Sequence, residues 1–191
     1  MSNTGYCYPN SDILINKLNI RNGDILCEAE KRLTMLRISD LFDRPIQGMF
    51  DLKHLQNIHK HMFQDVYEWA GKIHTVDIAK GNMFCKVQFI TVQAEEIFAK
   101  LKKENDLSSL DPDELGKKMA YYFSEINALH PFRDGNGRSQ REFIREWALS
   151  NGYRIDFRYI SGEQMLEASK DSFLCDYGKM EELFLKCLNK I

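Results

Sequence analysis

The chain has no run of apolar residues longer than Met119 to Phe123, and a helix needs about 20 such residues to cross a bilayer. A membrane-spanning helix is therefore excluded. The first residues, MSNTGYCYPNSD, lack a basic start followed by an apolar stretch. No secretory signal is expected, and the expected compartment is the cytoplasm. The five cysteines, Cys7, Cys27, Cys85, Cys175 and Cys187, are odd in number, widely spaced and without a C-x-x-C pair. They read as scattered reduced thiols, not as a disulfide or zinc framework. Only four prolines occur, with no Ser/Gly-rich tract, low-complexity run or internal repeat, so no linker is marked. Charge of one sign is lacking too. Lys plus Arg number 26 and Asp plus Glu 28, a formal net charge of −2. A general polyanion binder needs a basic face, so direct nucleic-acid binding is not expected.

What remains is material for one core. The 191 residues are 43% apolar, which suits a single domain over 1–191. Helical periodicity dominates. From Asp24 to Phe42, Ile25, Ala29, Leu33, Leu36 and Leu41 recur mostly on one face. Leu55, Ile58, Met62, Phe63 and Val66 mark a second helix between Leu52 and Trp69. Its neighbours His54, His59 and His61 are expected to be solvated or half-buried, with 59 and 61 on different faces. Thr91 is placed to cap a helix carrying Ala94, Ile97, Phe98 and Leu101. Asp111-Pro112-Asp113-Glu114 is the clearest start signal, followed by the buried stripe Leu115, Met119, Phe123 and Ile126. Further helices are expected at about 137–150, closed by Asn151-Gly152, and at about 162–173 and 178–189. The exception is 72–90. There Val76 and Ile78 alternate with Thr75 and Asp77, and Lys80-Gly81-Asn82 offers a turn, which predicts a short β-hairpin. The expected fold class is mostly helical, all-α apart from that hairpin.

The chemistry concentrates in Leu129 to Arg145, LHPFRDGNGRSQREFIR. Pro131 disfavours helical geometry at His130, so a helix ends there. Gly135-Asn136-Gly137 opens the next helix, where glycine allows close approach of a ligand to the backbone. The free N–H groups and dipole of that helix start suit an anion. Arg138 and Arg141 lie three apart on one face and can clamp phosphate oxygens in fork geometry. Asp134 is a hard oxygen ligand of the kind that holds Mg²⁺ beside phosphates. His130 supplies a nitrogen that titrates in the useful range. Together these are the parts of a phosphoryl or nucleotidyl transfer site. Each alone also has a plain role. A lone Gly-x-Gly makes a turn, His130 can be structural, Asp134 can cap the next helix, and the arginines can form a solvated stripe. For Arg145 the solvated role is preferred.

His130-Pro131-Phe132-Arg133-Asp134-Gly135-Asn136-Gly137-Arg138-Ser139-Gln140-Arg141 resembles the signature of the Fic family, H-P-F-x-(D/E)-G-N-G-R-x-x-R, at every specified position. Tyr8 to Asp12, Asn16-Lys17-Leu18, Phe63 to Gly71 and Asp176-Tyr177-Gly178 are also similar to small bacterial Fic proteins. The resemblance implies a helical Fic fold and transfer of AMP from ATP to a Ser, Thr or Tyr hydroxyl of a target protein. By motif position, His130 would be the general base and Asp134 the Mg²⁺ ligand. The amides of Gly135, Asn136 and Gly137 would cradle the phosphates, with the Asn136 side chain at the α-phosphate. Arg138 would neutralise the β-phosphate and Arg141 the γ-phosphate, while Phe132 anchors the loop. The hairpin would be a flap whose Val76, Asp77, Ile78, Ala79, Lys80 and Gly81 align an extended target segment.

Doc-type relatives, which phosphorylate, have lysine at the place of Gly137 and lack the second arginine. A Doc-like kinase, transfer of another nucleotide, and a non-catalytic nucleotide-binding module remain the alternatives. Fic proteins are often restrained by (S/T)-x-x-x-E-(G/N). Here only Thr91 has Glu at the fourth position on, and Glu96 follows it; Ser172 to Asp176 with Tyr177 is no closer. The resemblance then implies a separate small antitoxin, received by the amino-terminal helices, with this chain as the toxin of the pair. A type II topoisomerase target and cell filamentation are further expectations from the family alone.

Overall fold

The computed structural model describes residues 5–104, 107 and 110–191. The first four residues of the amino-terminal stretch lie outside them. Among the described residues the α-helices are α1 (Gly23–Asp43), α2 (Leu52–Phe63), α3 (Val87–Lys103), α4 (Pro112–Leu129), α5 (Asn136–Ser150), α6 (Gly162–Ser172) and α7 (Gly178–Cys187). Two small antiparallel sheets complete the fold: β1 (Ala79–Lys80) with β2 (Asn82–Met83), and β3 (Tyr153–Ile155) with β4 (Leu188–Lys190). The mostly helical class agrees with expectation.

Helix α4 packs against α3, α5, α6 and α7, and α5 packs in addition against α2, which in turn carries α1. The buried apolar side chains form one contiguous cluster. The turn joining α4 to α5 is thereby set against α2, and that turn carries the signature.

Local chemistry built α4 as read. Asp111 accepts the Glu114 N–H at 2.8 Å, Pro112 opens the helix, and Leu115, Met119, Phe123 and Ile126 are buried. Helix α5 ends at Asn151, with Gly152 at φ +80°.

Other elements differ from the sequence reading. On α1, Ile25 and Leu36 are 58% and 67% exposed, while Leu26, Thr34 and Leu41 are buried. The inward face is partly polar because Glu30, Thr34 and Arg37 bond to Arg138, Tyr67 and Asp65. Helix α2 stops at Phe63 and not near Trp69: the chain turns at 64–66, where the Val66 and Tyr67 N–H groups both bond back to Phe63 C=O at 3.0 Å. Helix α3 begins at Val87, with Thr91 inside it. Its start is held by Asp77, whose carboxylate accepts the Val87 N–H at 3.0 Å across the hairpin. The hairpin strands are only two residues each, around Gly81 at φ +82°. Helix α7 ends at Cys187, and Leu188–Lys190 leaves it to pair with β3, a sheet not foreseen. Three-residue strands are too short to carry an alternating pattern.

Candidate active site

His130 closes α4 in the left-handed conformation (φ 48°, ψ 56°), its N–H donating to Ile126 C=O at 3.1 Å. Pro131 next to it keeps the helix from continuing. The imidazole is 6% exposed, and among the described residues neither ring nitrogen has a hydrogen-bond partner. Its cover is the Phe84 ring, stacked parallel at a centroid distance of 3.6 Å and an angle of 11°. Phe84 follows the hairpin, which is tied to the signature turn by His74 N–H to Pro131 C=O and Cys85 N–H to Ala128 C=O, each 3.0 Å. Burial, and then the Lys80 charge, push the His130 pKa down to about 4. The ring is therefore neutral at pH 7 and able to take a proton.

The turn beyond it is rigidly built. Phe132 is fully buried. The Asn136 side chain accepts the Phe132 N–H at 2.9 Å and donates to Phe132 C=O at 2.7 Å. Its amide thus closes the loop on itself, a different use from the expected contact with an α-phosphate. Gly135 sits at φ +77°, and a Cβ there would lie 2.2 Å from the Phe63 ring, so only glycine fits. At Gly137 a Cβ would meet only Arg141 Nη1, at 3.5 Å. That glycine leaves open space above the loop instead of relieving a clash. The first-turn amides of α5, from Asn136 to Arg138, have no carbonyl one turn back to bond.

Asp134 Oδ1 accepts the Gly135 N–H at 2.7 Å, and the Lys80 ammonium stands 3.9 Å from the same oxygen. The carboxylate is 41% exposed. Arg138 is not free. It donates to Glu30 at 2.6 Å and Thr34 at 3.2 Å, and lies over the Phe63 ring. Glu30 also accepts from Tyr67 Oη. Arg141 is half-buried and makes no hydrogen bond or ion pair among the described residues. Burial and the neighbouring Arg138 charge lower its pKa. Of the six flap positions, Ala79, Lys80 and Gly81 are exposed, Asp77 caps α3, Val76 is half-buried and Ile78 is 8% exposed.

A neutral imidazole, the first-turn amides of α5 and an arginine with no counter-ion among the described residues are thus gathered at one helix junction. The Fic/DOC family description matches residues 49–148, which span α2 to α5. The chain belongs to the Fic/DOC family. It is 33% identical over 186 residues to Probable protein adenylyltransferase Fic of Escherichia coli K12, covering 97% of this chain and 92% of that protein. It is 39% identical over 190 residues to Protein adenylyltransferase VbhT of Bartonella schoenbuchensis, spanning 99% of this chain but 40% of that relative. The N-terminal Fic domain, with bound ADP, of a VirB-translocated Bep effector protein of Bartonella quintana has the same fold. Its TM-score is 0.93 at 28% identity, covering 97% of this chain and 94% of that one.

Three readings of the Fic chain change in the structure. His54 and His59 are 1% and 0% exposed, so they are core groups and not solvated or half-buried; His61 alone is half-buried. Arg145 is 8% exposed and ion-paired to Glu142 at 2.6 Å, so it is no part of a solvated stripe. The reason is shared: α5 is enclosed on most of its faces and packs against α2, so that Glu146 meets His54 of α2 and Arg145 meets Glu142 of its own helix and Leu41 C=O of α1. Phe84, His59 and Glu30 are the contacts that sequence reasoning missed, since none lies inside the signature.

Burial also pushes the His59 pKa down to about 4, opposed by its bond to the Asp134 carbonyl and assisted by the Arg138 charge. Both His59 and His130 therefore sit below the ordinary value of 6.5. Between pH 6.5 and 4 the unfolded chain binds protons that the folded chain refuses, so stability is lost as pH falls through that window. The expected loss from pH 7 to pH 5 is about 2 kcal/mol per histidine. Urea denaturation at the two pH values measures it, and equal stabilities would contradict the buried neutral rings.

Proposed function

We propose that this chain is a protein adenylyltransferase, moving AMP from ATP to a Ser, Thr or Tyr hydroxyl of another protein, with the 1–191 chain acting as one unit. The observation that carries this reading is Arg141, a half-buried guanidinium without a counter-ion beside free helix-start amides. A buried cation left unpaired is costly, and a polyphosphate chain is its natural complement.

In this reading the target alcohol enters beside His130. Its oxygen attacks the α-phosphorus, the proton passes to the imidazole, and the bond to pyrophosphate breaks. The triphosphate's negative charge raises the depressed pKa of His130 and so strengthens it as a base. Arg141 holds the γ-phosphate end, and the Asn136 and Gly137 amides hold the oxygens nearer the reacting atom. Arg138 reaches the β-phosphate only by sharing its charge with Glu30. Asp134 fits Mg²⁺, because one carboxylate together with substrate phosphates is a usual set for that ion. Bound there, Mg²⁺ would neutralise charge on the α- and β-phosphates. The exposed Ala79–Lys80 edge offers main-chain groups to an extended target segment.

No helix of the described residues is long and apolar enough to cross a membrane. With the unpaired thiols, this supports a cytoplasmic setting. The exposed Ile25, Met35, Leu36 and Phe42, on the outward side of α1, support docking of a separate antitoxin helix there.

The chain incubated with lysate, Mg²⁺ and ATP labelled at the α- or the γ-phosphate tests the activity. Label on protein from α only is expected. Label from γ would mean a kinase, and label from neither would remove the transferase reading.

A further inference from the structure

We propose that His59 is a positioning residue of the phosphate loop: from beneath, its imidazole holds the Asp134 carbonyl away from the bound nucleotide. The inference rests on the adenylyltransferase reading and adds a residue outside the signature to it. His59 lies on α2, 75 positions before Asp134, and is fully buried. Its Nε2 donates to Asp134 C=O at 3.0 Å, and its Nδ1 accepts the Gly71 N–H at 2.8 Å. The two bonds fix one tautomer, with the proton on Nε2, because Nδ1 faces a donor. Protonation of Nδ1 would set N–H against N–H.

The ring is locked in orientation as well. It stacks on Phe132 at 3.9 Å and on Phe63 at 4.6 Å. Gly71 is brought to it by a turn that only glycine allows, since a Cβ there would lie 2.7 Å from Lys60 Cβ and 2.9 Å from Gln56 O. Gln56 in addition donates to Gly71 C=O at 3.0 Å. A polar group this enclosed, with both nitrogens used, specifies one geometry.

The function of that geometry lies in the Asp134–Gly135 peptide. An anion loop must turn N–H groups, not C=O groups, toward its ligand. If the Asp134 carbonyl swung to the nucleotide side, its oxygen would face phosphate oxygens and the carboxylate would leave the Gly135 N–H. The bond from His59 removes that alternative. His59 touches neither substrate nor reacting atoms, and it acts through the loop.

Three variants separate the two bonds. In His59→Gln the side-chain N–H reaches about as far as Nε2 and can still donate to Asp134. His59→Asn reaches only to the Nδ1 place and keeps the Gly71 bond alone. His59→Phe keeps the stacking and neither bond. Removal of such an outer support typically costs about 10- to 100-fold. The expected pattern is a loss of that size in MgATP affinity by calorimetry, and in kcat/KM for α-label transfer, for the Asn and Phe variants. The Gln variant stays within about threefold of wild type. The thermal midpoint of the Asn variant is expected near that of the Gln variant.

The inference is overturned if the Asn variant binds and transfers as wild type does, or if losses in all three follow the thermal midpoint alone. Should the variants fail to fold, the ring-nitrogen chemical shifts of wild-type His59 decide. Protonated Nε2 and bare Nδ1 at pH 7 support the role, whereas the opposite tautomer removes the bond to Asp134 and the proposal with it. Wild type without any α-label transfer would count against the adenylyltransferase reading. MgATP affinity would still test His59 independently.

Discussion

His130→Ala is expected to lower α-label transfer by about 10²- to 10⁴-fold, the usual worth of a positioned general base. MgATP binding should stay close to that of wild type, because the amides of Asn136 and Gly137 and the Arg141 guanidinium are untouched. The change also costs little fold. Among the described residues neither imidazole nitrogen has a hydrogen-bond partner, and the large contact removed is the stack on Phe84. Alanine keeps the backbone N–H that bonds Ile126 C=O. Loss of transfer with retained nucleotide binding is therefore the signature of a chemical role. Measured by autoradiography and calorimetry on the same preparation, equal labelling by the variant would take His130 out of the mechanism.

The second large effect lies two turns further along α5. Arg145→Leu is expected to destabilise the fold by about 3–5 kcal/mol at pH 7, the scale for stranding a buried charge. Glu142 and Glu146 are each 4% exposed. Arg145 donates to Glu142 at 2.8 and 2.6 Å and to Leu41 C=O at 3.1 Å. Glu146 takes the Ile46 N–H at 3.1 Å and faces His54 Nε2 at 2.9 Å. Burial already raises the Glu142 pKa, held in check by Arg145 and pushed further by the Glu146 charge. Without the arginine that check is gone, and the folded chain prefers Glu142 protonated. A carboxyl with its folded pKa raised above the unfolded one destabilises more as pH rises. The penalty of the substitution should accordingly shrink from pH 7 to pH 5. Urea denaturation of variant and wild type at both pH values measures it, and a penalty under about 1 kcal/mol would mean that the pair contributes little.

The signature was legible because its parts are contiguous: the helix stop at Pro131, the glycines and the two arginines all act within one turn of the chain. The same locality made the Asp111 cap readable, since its partner is the Glu114 N–H three residues on. The start of α3 was not, because its cap, Asp77, reaches Val87 across a hairpin. The α1 stripe was read only in part: Leu41 is buried and Ala29 and Leu33 half-buried, whereas Ile25 and Leu36 face outward. Periodicity gives a face but not a direction, and the inner face of α1 is partly polar because Arg138 meets Glu30 there, 108 positions away.

By itself, then, the order of residues determined most of the helices, their caps where the partner is within a turn, and the contiguous loop in which the chemistry-bearing side chains lie. Tertiary structure alone decided which histidines are buried, that Arg138 is held by Glu30 while Arg141 has no partner among the described residues, and that Phe84 lies on His130. The physical reason is reach. A cap or turn is settled by atoms a few bonds apart, whereas burial and pairing across 75 to 108 residues depend on the path the whole chain takes before those groups meet.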